Sequence, residues 1–120
     1  MDRTRFRRLV HRAVASLPSE MRRALDNVAI VIEREPSAAD RRAGGVGSGD
    51  DLFGLYVGTP LPERSGTSYP LPDRIVIFQG PLERHFHPHD IPKEVAKTVL
   101  HELAHYFGID DDRLETLGLG

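Results

Sequence analysis

Apolar residues recur along this chain in two periods, one helical and one alternating or continuous, and the switch between them outlines the fold. Phe6, Leu9, Val10, Ala13, Val14 and Leu17 keep helical spacing and predict a helix over residues 3–17. Pro18 ends that helix and opens a second short one through about Leu25, with Ser19 and Glu20 suited to its first turn. Val28-Ala29-Ile30-Val31-Ile32 is a β-branched run between polar borders and predicts a buried strand. Residues 36–51 hold Pro36, Ser37, Gly44, Gly45, Gly47, Ser48 and Gly49 and read as a flexible surface loop. Leu52 to Val57 predicts a second strand. Residues 60–73 contain four prolines and read as an extended loop, and Arg74–Phe78 predicts a third strand ended by Gly80-Pro81.

The last strong periodic segment starts near Asp90, an N-cap residue type, with Pro92 in the first turn. Val95, Ala96, Val99, Leu100, Leu103 and Phe107 fall on one arc of this helix. Glu94, Thr98, His101 and His105 fall on the opposite arc, with Glu102 at the border. The apolar arc is expected to bury against the sheet or the N-terminal helix, and the polar arc to line a cleft. Core histidines would instead sit among the leucines.

That polar arc carries the pattern H-E-x-x-H-x-x-G-x-x-D from His101 to Asp111. Two histidines four apart on a helix differ in direction by only about 40° and lie one turn apart. Neutral imidazoles held so can share a tetrahedral ion, usually Zn²⁺. Glu102 is placed to face an open coordination position and to take a proton from water. Gly108 can adopt the left-handed conformation that ends the helix and turns the chain back, so that Asp111 reaches the ion as an oxygen ligand. Asp110 and Asp112 are alternatives for capping a short last helix, Arg113–Leu117.

The motif resembles the zincin metallopeptidases, in the variant with Asp as third ligand. The stretches Leu52–Leu61 and Leu71–Phe78 are similar to those of a family of small bacterial zincin-like metallopeptidases, and the resemblance runs from roughly residue 9 onward. It implies an α+β minimal zincin-like fold: N-terminal helices, a small mixed β-sheet of about three to four strands and a C-terminal active-site helix. It also implies a metallopeptidase, with Zn²⁺ on His101, His105 and Asp111 and Glu102 as general base. An edge strand above the helix would bind substrate as an added strand, and Leu52–Val57 and Arg74–Phe78 are both candidates. The methionine turn of metzincins has no counterpart, because Met1 and Met21 both precede the motif. Nine residues follow Asp111, so the cleft is expected to be shallow and open unless a partner or a second copy closes it. Tyr56, Tyr69, His85 and Arg113 are candidate oxyanion stabilisers.

Other chemistry is less well supported. His85, His87 and His89 alternate, and in an extended chain they would point the same way, forming a second metal site or giving the third ligand in place of Asp111. A polar loop leading into the helix is the preferred reading. Arg3, Arg5, Arg7, Arg8 and Arg12 read as a solvated face, with docking of an acidic partner as the alternative. The glycine-rich segment lacks both GK[ST] and a strand–loop–helix setting for phosphate binding.

At 120 residues the chain is expected to form one domain, 1–120. It has no cysteine, so a metal site must use His, Asp or Glu. The net charge of −2 gives no case for nucleic acid. No apolar run of membrane-spanning length and no signal-peptide core are present, so a cytoplasmic protein away from membranes is expected. The expected function is zinc-dependent hydrolysis of peptides or unfolded protein. The alternative is a non-enzymatic, metal-stabilised module that binds peptide or protein without cutting it.

Overall fold

The structure is a computed structural model, and it describes residues 1–47, 49–58, 73–109 and 112. Helices α1 (Arg3–Ala15) and α2 (Ser19–Ala24) lead through a 3₁₀ turn into strand β1 (Val28–Glu33). Helix α3 (Ala38–Ala43) and strand β2 (Gly54–Val57) follow. Strand β3 (Asp73–Phe78), helix α4 (Gln79–His85) and helix α5 (Ile91–Tyr106) complete the described elements.

The sheet is mixed, in the order β1-β3-β2. β3 pairs parallel with β1, Ile75 against Ile30, and antiparallel with β2, Ile75 against Tyr56. Being central, β3 is buried on both faces. Ile75 and Ile77 join Phe6, Val10 and Ala13 of α1 and Val95, Val99 and Leu103 of α5 in the main core. Val76 and Phe78 point the other way, onto Leu52 and Leu55 with Val46 beside them. The apolar run predicts β1 as a buried strand, yet only Val28 and Ile32 are buried, because it lies at the sheet edge. α5 packs on α1, β2 and β3 together, so the motif helix is fixed by the core it helps to form.

Four local expectations are corrected. The segment 36–51 contains α3, started by a capping box: the Ser37 side chain accepts from the Asp40 amide at 3.0 Å and Asp40 Oδ2 accepts from the Ser37 amide at 2.9 Å. The turn after it is held by Arg41, whose guanidinium donates to the carbonyls of Gly47 and Asp50. β3 ends at Phe78 as expected, but the chain goes straight into an unexpected helix: α4 begins at Gln79, and Pro81 sits in its first turn, where the helix needs no N–H. Asp90 precedes α5 without a side-chain cap bond, because a 3₁₀ turn at Pro88–Asp90 feeds the helix instead. Leu100 and Phe107 are 36% and 40% exposed, whereas Ile91 and Tyr106 are buried; the buried stripe is thus narrower than the apolar arc. The loop expected over 60–73, apart from Asp73, and the helix expected at Arg113–Leu117 lie outside the described residues.

Candidate metal centre

The last two turns of α5 carry His101, Glu102 and His105. The two imidazoles meet edge to face, with ring centroids 4.8 Å apart, and both are half-buried. Glu102 is only 6% exposed, and its surroundings explain why a carboxylate is tolerated there. Oε1 accepts the Tyr56 backbone N–H of β2 at 2.9 Å and faces His105 Nδ1 at 3.1 Å. With Nδ1 of His105 turned to this carboxylate, Nε2 is the ring nitrogen left to face an ion. Oε2 lies 3.8 Å from His101 Nε2.

The edge of β2 explains the Tyr56 contact. The Phe53 carbonyl accepts from the Phe78 amide at 2.9 Å, and antiparallel strands alternate inward- and outward-facing backbone groups. Leu55 and Val57 therefore face β3, while Gly54 and Tyr56 direct their N–H and C=O outward. Between the candidates for an edge strand beside the helix, the structure selects β2, since β3 is central. Gly54 makes the approach possible: a Cβ there would lie 2.5 Å from Thr98 Cγ2 and 3.5 Å from Glu102 Cγ.

Gly108 ends α5 as the spacing predicts. Its φ is +79°, its N–H donates to the His105 carbonyl, and the Ile109 N–H reaches back to the Ala104 carbonyl, both at 2.9 Å. This paired closure is the Schellman arrangement. Asp111, the expected third ligand, lies outside the described residues.

His101, Glu102 and His105 each bring a ligand atom within 4.8 Å of the other two. The two imidazoles are borderline donors that suit Zn²⁺ without any thiolate, and one further carboxylate ligand would complete a three-residue set. The other histidines do not gather into a second group among the described residues. The chain is not extended at His85–His89, which weakens the alternation argument: His85 ends α4 and bonds Asp51 at 2.7 Å, while His87 and His89 stack on each other at 5.5 Å. Asp51 also accepts from Arg84 at 3.0 Å, and Arg84 in turn holds Glu35. The Arg84 hydrogen bond, aided by that of His85, keeps the Asp51 carboxyl below its usual range; Asp51 and then Glu35 push Arg84 upward.

A groove of about 440 Å³ leads away from the motif. β2 forms its floor, the Glu94–His105 face of α5 one wall, and Ala43, Gly44 and Val46 the other. Of the expected oxyanion stabilisers, Tyr56 turns its ring onto Tyr106, with centroids 5.9 Å apart, and His85 is tied to Asp51. Tyr69 and Arg113 lie outside the described residues. Sequence reasoning misses the Tyr56 amide, which has no residue-type signature. It also passes over Gly54, although a glycine inside a strand pattern marks close approach of another chain segment.

A family model described as zincin-like metallopeptidase matches residues 25–120. A solved structure of a conserved hypothetical protein from Thermo thermophilus is similar at a TM-score of 0.56 and 25% identity, covering 98% of this chain and 97% of that one. The comparison with curated proteins gives no match. No helix among the described residues is long and apolar enough to cross a membrane.

Proposed function

Because this chain belongs to the zincin-like metallopeptidase family, we propose that it hydrolyses peptide bonds in a zinc-dependent reaction at the centre on α5. The α+β architecture, with a three-stranded mixed sheet ahead of the motif helix, fits the minimal zincin-like fold. His101 and His105 would hold the ion, with Asp111 as the third ligand. Bound Zn²⁺ supplies a Lewis acid and lowers the pKa of water towards neutral. Glu102 takes the proton from the attacking water and passes it to the leaving amine. The Tyr56 N–H aims its carboxylate at that task, and the outward backbone groups of Gly54 and the Tyr56 carbonyl pair with an extended peptide laid along β2.

One observation carries this reading: the Glu102 carboxylate is buried beside the two imidazoles and the edge strand, where a base can serve a peptide lying on β2 next to an ion on the histidines. The test is a peptide-library digest with added Zn²⁺ beside a chelated control, on wild type and Glu102→Gln. Glu102→Gln keeps the shape and loses the base. Turnover is expected to fall by a factor on the order of 10² to 10⁴ with zinc affinity little changed. Wild-type turnover that persists in Glu102→Gln overturns the mechanism. Peptide that binds zinc-loaded wild type and is never cut assigns the groove to the alternative, a metal-stabilised binding module.

A further inference from the structure

We infer that the end of the groove remote from the histidines is a specificity subsite for a bulky apolar side chain, which makes hydrophobic segments of unfolded chains the substrate class. The inference rests on the peptidase reading and deepens it. Phe53 and Phe86 stand at that end with ring centroids 5.4 Å apart, tilted at 52°. Each packs partly against the main core and turns its remaining surface to the groove. Leu52 and Val46 continue the apolar wall on the other side of β2.

The charges nearby do not favour a charged guest. Glu94 and Lys97 line the groove from α5 with opposite signs, so they give no net selection. The carboxylate of Asp51 is engaged by Arg84 and His85. Selection at this end is therefore left to apolar contact, as in pockets where a few polar groups orient the ligand and hydrophobic walls decide its fit.

Spacing places the subsite relative to the bond cut. Glu102 meets β2 at Tyr56, and Phe53 lies three residues earlier in sequence. At about 3.4 Å per residue that is about 10 Å, the reach of about three residues of an extended peptide. The structure thus assigns the selected side chain to about the third residue on one side of the scissile bond.

The test measures cleavage of a peptide library by zinc-loaded wild type, together with equilibrium binding of fluorescent peptides to zinc-loaded Glu102→Gln. Wild type should prefer Phe or Leu two to four residues from the bond, on one side only. In the Glu102→Gln background, Phe86→Ala should weaken binding of a Phe-bearing peptide on the order of tenfold and leave its Ala-bearing counterpart nearly unchanged. Phe53→Trp fills the subsite from within and should give the same selective loss, which keeps the test open if the alanine variant does not fold. Cleavage with no side-chain preference over those positions overturns the subsite and leaves the peptidase standing. Peptides neither bound nor cut by the zinc-loaded protein overturn both.

Discussion

A methyl group at position 54 would lie 2.5 Å from Thr98 Cγ2 and 3.1 Å from the Val76 carbonyl oxygen. Neither neighbour yields easily: one is on a stiff β-branched side chain and the other is backbone within the sheet. Gly54→Ala should therefore cost about 1–3 kcal/mol through overpacking, read as a lowered urea midpoint. A variant as stable as wild type would mean that β2 and α5 do not approach as described. Gly108 is constrained by its conformation. At φ +79°, a β-branched residue is strained by about 1–2 kcal/mol. Gly108→Val should lower the melting temperature and weaken zinc affinity, because the proposed approach of Asp111 begins with this turn. Unchanged zinc affinity in a folded Gly108→Val protein would remove Asp111 from the ligand set.

Short elements depend on their caps more than on their faces. α3 has six residues and none of them is buried, so removing its cap with Ser37→Ala should cost about 1 kcal/mol, measured by denaturation and by faster amide exchange over residues 38–43. The Asp51–Arg84–Glu35 cluster joins the segment before β2, α4 and the segment just after β1. Asp51 has a depressed folded-state pKa, so its contribution is present above the unfolded carboxylate value and is lost as pH falls through the folded one. Asp51→Asn should narrow the stability difference from wild type as pH drops below about 4, seen in melting temperatures across an acid series; a constant difference down to about pH 2 would contradict it. These same elements explain what the sequence discloses. α1, α5, β1 and β3 carry long or strongly patterned apolar runs and are legible. α3 is too short to show a period, and its capping box is the sole local signal. α4 hides behind Gly80-Pro81, a pair that reads as a stop although proline suits a first helical turn. His101, Glu102, His105 and Gly108 are legible because helix geometry alone fixes their relation. Tyr56 and the Asp51 cluster join residues 33 to 49 positions apart, and no local pattern announces such pairs.

For the molecule as a whole, a metal held at the proposed centre would be coupled to stability, since α5 packs on α1 and on the sheet. A ligand confined to the folded state at a hundredfold excess over Kd stabilises by about 2.7 kcal/mol. Zinc should therefore raise the melting temperature and chelator should reverse the rise, both followed by scanning calorimetry. The double change His101→Ala with His105→Ala should abolish the shift; an undiminished shift would move the ion elsewhere. The packing of α1 on α5 has a consequence of another kind. Phe6, Val10 and Ala13 leave the ribosome well before their cover, Val95, Val99 and Leu103, which is translated about ninety residues later. At roughly 5–20 residues per second the nascent chain spends several seconds or more with that stripe bare, a sticky surface for a chaperone to shield. When α5 at last docks, it closes this surface and delivers His101, Glu102 and His105 to the edge of β2 in one event. On the peptidase reading, a half-made chain is thus unable to cut its neighbours on the polysome.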